Sequence, residues 1–155
     1  MPKIINDPTN KILQASIDIL RKVGRDDFSM RQVAKKANIS VGTIYNYYPN
    51  KESLFLAIDK QQGEVLRKEL GAYKAKGKKT EDALVEIYEK TEAIIALEEE
   101  ASLIEESLAK AFSTCFKREG VEKEYYQIAA NVLVSGIVAK RKKENLLAIL
   151  NAIFA

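Results

Sequence analysis

The run from Phe28 to Phe55, FSMRQVAKKANISVGTIYNYYPNKESLF, constrains this chain more than any other segment. Ser29 with Gln32 three residues on is a capping box, which predicts a helix starting at Met30. Met30, Val33, Ala34 and Ala37 recur at helical spacing and make one apolar face. The helix should stop near Ala37, because Asn38 is the best residue after glycine for a left-handed C-terminal position. Ile39 then turns inward and Ser40 caps a second helix. A turn this short forces two helices to cross steeply, as in a helix-turn-helix.

The second helix, predicted over Val41 to Tyr47, is poor in helix formers: Gly42, Thr43, Ile44, Tyr45 and Asn46 are all weaker choices than Ala or Leu. Stability alone would not select this composition. Gly42 lets something approach the backbone closely. Thr43, Tyr45, Asn46 and Tyr47 offer hydroxyls, an amide and flat rings, groups that bond phosphates, base edges and thymine methyls. Ile44 and Tyr48, four apart, are the inward anchors. Asn50 should cap the next helix, with Lys51 in its first turn. A cation there opposes the helix dipole. Either an anion binds at that helix start with help from the Lys51 ammonium, or Lys51 is solvated and Glu52 compensates.

Residues 9 to 56 resemble the N-terminal domain of the TetR family of transcriptional regulators. The family pattern S/T-x-x-x-I/V-A-x-x-A-G-V-S-x-G-T-I/L-Y-x-Y/H-F-x-x-K-E-x-L is met by Ser29, Val33, Ala34, Ala37, Ile39, Ser40, Gly42, Thr43, Ile44, Tyr45, Tyr47, Tyr48, Lys51, Glu52 and Leu54. Asn38 replaces the usual turn glycine and Tyr48 the usual phenylalanine. The resemblance implies DNA-facing positions. Val41, Tyr45 and Asn46 are the candidates for base reading. Thr43, Tyr47 and Lys51 are candidates for phosphate anchoring, with Gly42 allowing close approach and Ser29 and Arg31 helping from the preceding helix.

Charge is distributed in the same sense. Residues 1–60 carry a formal net charge of +4 and the remainder −1, giving +3 over the 155 residues. A modest basic excess on a reading head suits phosphate binding. One cysteine and no histidine leave no structural zinc site, no intramolecular disulfide and no histidine acid–base chemistry. No catalytic constellation, metal site or cofactor motif is legible. Without a signal peptide or an apolar run of about 18 residues, a soluble cytoplasmic protein is expected.

The remaining helices serve as scaffold and regulatory body. Asp7 and Pro8 should open a first helix with Ile12, Leu13, Ser16, Ile17, Leu20 and Val23 on its apolar stripe, closed by Gly24. Lys3 and Lys11 either touch a DNA backbone or are solvated, the latter preferred. The helix from Asn50 should run to about Leu70, followed by a basic linker to Lys79 with solvated lysines. Thr80 should cap the next helix. Further helices are predicted up to Arg118, from about Val121 to Ala139, and from Glu144 to Phe154. The run Glu98 to Glu100, with Glu105 and Glu106, reads as a solvated face, with cation binding as the rarer alternative. The last helix is apolar nearly all round, and burial against a second chain is the simplest remedy. The last two helices resemble the family's four-helix dimer interface, with Ile128, Val132, Ser135, Gly136, Leu146, Leu147, Leu150 and Phe154 as candidates.

The chain is shorter than family members commonly are. After the linker there is room for only about four helices, so the regulatory core is small. Tyr88, Ile95, Phe112, Cys115, Phe116 and Tyr126 either line a small ligand pocket or form an ordinary core, the latter preferred. The expected architecture is all-α: a helix-turn-helix DNA-binding domain over residues 1–50 and a shortened helical regulatory and dimerisation domain over 51–155. The expected function is a homodimeric, sequence-specific DNA-binding regulator and repressor on a pseudo-palindromic double-stranded operator, released by a small-molecule inducer if it has one, and with no membrane partner. The rivals are a protein-interaction module of the same fold without inducer, and an enzyme, for which no residue set has catalytic spacing.

Overall fold

The computed structural model describes residues 8–97 and 101–155. Lys3, Asp7, Glu98, Glu99 and Glu100, which figured in the sequence reading, lie outside them. Among the described residues all regular structure is helical: α1 (Pro8–Val23), α2 (Met30–Ala37), α3 (Val41–Tyr47), α4 (Lys51–Gly71), α5 (Thr80–Ile95), α6 (Ala101–Cys115), α7 (Lys123–Val138) and α8 (Lys143–Phe154). No helix among the described residues is long and apolar enough to cross a membrane. The chain divides into two compact units, Met1–Asp59 and Lys60–Ala155, and α4 contributes to both.

In the first unit four helices each give one fully buried residue to a common centre: Ile12 from α1, Val33 from α2, Ile44 from α3 and Leu54 from α4. The α1 stripe contains a serine, and its hydroxyl is satisfied by donating to the Ile12 carbonyl at 2.6 Å, so burying it leaves no unpaired donor. Phe28 closes the unit from below α2, its ring centroid 5.0 Å from that of Phe55. Arg25 covers the same Phe55 ring at 4.8 Å and makes two bonds to Asp59, at 3.0 and 3.2 Å. The segment between α1 and α2 is thereby tied to the first turns of α4.

In the second unit Leu84, Ile87, Ile94, Ile104, Leu108, Phe112 and Leu133 are sealed from water in a core that α5, α6, α7 and α8 share with Leu70. Along the later turns of α4, Leu70 is fully buried whereas the apolar Val65 is exposed. The expected capping of α5 by Thr80 also fails. Thr80 is the first helical residue and Lys79 stands at the cap without a side-chain bond. Glu81 and Asp82 in the first turn supply the complement to the helix dipole instead.

The linker lysines are not all solvated. Lys78 is paired with Glu86, which also accepts from the Tyr73 hydroxyl at 2.5 Å. These two donors hold the Glu86 carboxyl below its ordinary range, while burial and the same carboxylate push the Tyr73 phenol up, keeping it a donor. The Cys115 thiol donates to the Tyr73 carbonyl at 3.6 Å, and burial pushes that thiol up, away from the thiolate a redox role would need.

The terminal helices depart most from expectation. α6 stops at Cys115, not Arg118. Arg118 leaves the helix and donates to the carbonyls of Phe154 and Ala155 at 2.7 and 2.6 Å, and Tyr125 donates to that of Ile153 at 2.8 Å. The orphan acceptors at the end of α8 are thus satisfied within the chain. Leu146, Leu150 and Phe154, spaced i, i+4, i+8, are buried in the chain's own core, as is Gly136. As interface candidates these four therefore expose little surface in the single chain, the three side chains being directed into its own core. Gly136 is there because α7 and α8 approach closely: a Cβ at that position would lie 2.3 Å from Leu146 Cδ2 and 3.3 Å from its Cγ.

Gly136→Ala should therefore destabilise the protein. Overpacking costs about 1–3 kcal/mol, and alanine returns about 1 kcal/mol of helix propensity, for a net loss of about 1 kcal/mol in urea unfolding. The double variant Gly136→Ala/Leu146→Ala should lose less than the sum of the two single changes, because the truncated leucine removes the clash.

Candidate nucleic-acid interface

The geometry of α3 is set by its two ends and one anchor. Ser29 caps α2: its hydroxyl accepts from the Gln32 N–H at 3.2 Å, and its own N–H donates to Gln32 Oε1 at 2.7 Å. Asn38 ends α2 at φ 56, ψ 46, the left-handed conformation its short side chain tolerates. Its neighbour Ile39 returns an N–H to the Ala34 carbonyl at 3.1 Å. The two residues after Asn38 then place Ser40 as the cap of α3, accepting from the Thr43 N–H at 3.1 Å, while the Ser40 and Thr43 hydroxyls share a 2.7 Å hydrogen bond.

Ile44 is the single buried residue of α3, and Tyr48 just beyond it is buried too. With Ile44 facing the core, Tyr45, Asn46 and Tyr47 must face water. Tyr45 is 46% exposed and Tyr47 49%. Gly42 and Asn46 are exposed, Val41 and Thr43 half-buried. On α2, Arg31 is exposed and Ser29 half-buried. The structure therefore brings the α3 candidates together on one short helix whose outer surface is amide, phenol and bare backbone.

Gly42 is informative because nothing inside the chain requires it. Its φ is not positive, and the nearest atom a Cβ would meet is Ser40 Oγ at 4.0 Å, ordinary contact. Neither backbone conformation nor packing explains a residue that costs helix stability.

α4 starts beside α3 in the same unit. Asn50 accepts from the Ser53 N–H at 2.8 Å and donates its own N–H to Ser53 Oγ at 3.3 Å, a reciprocal cap that fixes the first turn. Lys51 is the first helical residue, exposed, and forms no ion pair among the described residues. A cation at the first position of a helix whose early N–H groups lack intrahelical partners is a combination suited to a phosphate oxygen.

The six residues weighed as a ligand pocket are in the second unit. Tyr88, Phe112 and Tyr126 are buried; Ile95, Cys115 and Phe116 are half-buried around the same core. Phe112, Phe116 and Phe154 form a ring cluster with centroids 4.6 to 6.2 Å apart. The Tyr126 hydroxyl is used up locally, accepting from the Arg118 N–H and donating to the Phe116 carbonyl, both at 3.2 Å. A larger open cleft elsewhere in this unit, of about 890 Å³, includes only Tyr126 of the six. Of the interface candidates, Ile128 is 65% exposed, Ser135 exposed, and Val132 and Leu147 half-buried. Val138 and Ile149, absent from the sequence-based candidates, are 59% and 47% exposed; Val138 lies three residues beyond Ser135 on the same side of α7.

Comparison with known proteins bears on the first unit most directly. Residues 12–58 match the family model described as bacterial regulatory proteins, tetR family. The HTH-type transcriptional regulator YvdT of Bacillus subtilis is 40% identical over 58 residues, covering 37% of this chain and 30% of that protein. The HTH-type transcriptional repressor KstR of Mycolicibacterium smegmatis is 40% identical over 47 residues, covering 30% and 23%. The match thus spans less than a third of these relatives' length. The fold comparison is wider: GusR of Salmonella enterica superposes with a TM-score of 0.53 over 97% of this chain and 98% of that one, at 19% identity.

Gly42→Ala should separate stability from binding. It should raise folding stability by about 0.5 kcal/mol through helix propensity, read by urea unfolding, and weaken binding to a selected DNA site by about tenfold or more, read by fluorescence anisotropy. Unchanged binding would remove the argument that this surface meets DNA.

Proposed function

Because the chain carries the N-terminal domain of the TetR family, we propose that it is a sequence-specific DNA-binding regulator of transcription, a repressor acting as a twofold dimer on a pseudo-palindromic operator. One observation supports this above the others: α3 commits Ile44 alone to the core and leaves Tyr45, Asn46 and Tyr47 side by side in water. In this reading α3 enters the major groove. Val41, Tyr45 and Asn46 read base edges. Thr43, Tyr47, Lys51, Ser29 and Arg31 hold phosphates, which fixes register without reading sequence.

The dimer is formed by the outer faces of α7 and α8. Ile128, Val132 and Val138, with Ser135 between them, make a largely apolar stripe along α7 that one chain leaves uncovered, and α8 adds the exposed Ile149 and the half-buried Leu147. A twofold axis pairs such a stripe with its own copy, and burying it removes an aggregation liability. A small ligand acts by preferring the dimer state in which the two α3 helices are wrongly spaced for the half-sites.

Two measurements test this. DNA fragments selected from the source genome should bind with an affinity that falls steeply with salt, the logarithmic slope being about −0.9 per phosphate neutralised. Tyr47→Ala and Lys51→Ala should weaken all sequences alike, while Asn46→Ala should change which sequence is preferred. A flat salt response with no selected site would favour a protein-interaction module of this fold. Separately, Ile128→Glu should convert the dimer to a monomer in sedimentation equilibrium while leaving the helical content intact; a dimer that survives the charge places the interface elsewhere.

A further inference from the structure

The second unit holds an open cleft of about 890 Å³ bounded by the end of α4, by α6 and by the start of α7. Its volume falls in the range of small-molecule sites, roughly 300–1,000 Å³. Its charge is out of proportion to its surroundings. Residues 61–155 carry a formal net charge of −1, yet the cleft is lined by Arg67 and Lys68 from α4, Lys110 from α6 and Lys123 from α7, against one carboxylate, Glu106. Lys68 is partly spent on Glu64, at 3.2 Å on its own helix. Lys110 and Lys123 are exposed and come from two different helices, so the excess is a property of the cavity, not of one helix face.

The rest of the wall is not charged. Leu103, 39% exposed, and the exposed Ala72 line the same space. Tyr126 at its floor is buried with its hydroxyl bonded on both sides, so it adds no free polar group. A single carboxylate gives little to hold a cation. The complement of such a wall is a molecule with an anionic group at one end and an apolar body at the other.

We propose that this cleft binds an amphipathic organic anion, a carboxylate or phosphate on an apolar body, with Lys110 and Lys123 as the principal contacts to the charge. As an effector site this rests on the regulatory reading above. Binding itself is measured on the protein without DNA, so a failure of DNA recognition leaves the result standing.

The test is calorimetric titration of the full chain with decanoate and with decylammonium, matched in apolar length and opposite in charge, both below their micelle concentrations. Decanoate should bind about tenfold tighter, and the preference should shrink as salt is raised. Lys110→Glu/Lys123→Glu should abolish or invert the preference, and Lys110→Gln/Lys123→Gln should give an intermediate value, which guards against an effect of the reversed charges on folding. Equal affinity for the two probes, saturation by neither, or decanoate binding indifferent to the charge reversal would overturn the proposal. So would a loss of operator affinity on charge reversal in decanoate-free buffer, which would assign the cleft to the DNA surface.

Discussion

The burial of one isoleucine carries the reading helix. α3 has seven residues and a composition that would not hold a helix in isolation. Ile44, fully sealed among Ile12, Val33 and Leu54, fixes its rotation about its own axis. Ser40 at its start and the left-handed Asn38 before it fix its entry. With rotation and entry set, the outward direction of Tyr45, Asn46 and Tyr47 follows from the 3.6-residue period alone. The chemistry of the exposed surface is thus decoupled from the stability of the fold. Residues poor at forming helices are tolerated there because α1, α2 and α4 supply the packing.

What could be read from the sequence was what is local. The capping box of Ser29 and Gln32, the turn at Asn38, the cap at Ser40 and the inward pair Ile44 and Tyr48 each depend on residues within four positions of one another. All appear as expected. The apolar excess of α8 was legible too, but not its division. Periodicity shows that Leu146, Leu150 and Phe154 share a stripe. It does not tell whether that stripe meets α5 and α7 of its own chain or a second copy, and here it meets the former. The Lys78–Glu86 pair was missed because eight residues and a loop separate the partners. The cleft was missed because concavity arises where three helices meet, and none of them carries it alone.

Two glycines make the same distinction between inside and outside. Gly136 is required by a neighbour in the chain, since Leu146 occupies the space a side chain would need. Gly42 has no such neighbour. Both stand in helices at a cost in propensity, and sequence alone gives them equal weight. Only the packing around each tells that one is required by a neighbouring side chain and the other is not.

The exposed tyrosines have a practical corollary. The protein contains seven tyrosines and no tryptophan, so its ultraviolet emission is phenolic throughout. Tyr48, Tyr88 and Tyr126 are enclosed, whereas Tyr45 and Tyr47 stand in water on α3. A partner that stacks on those two rings would alter the emission of the unlabelled protein, giving α3 a built-in optical reporter.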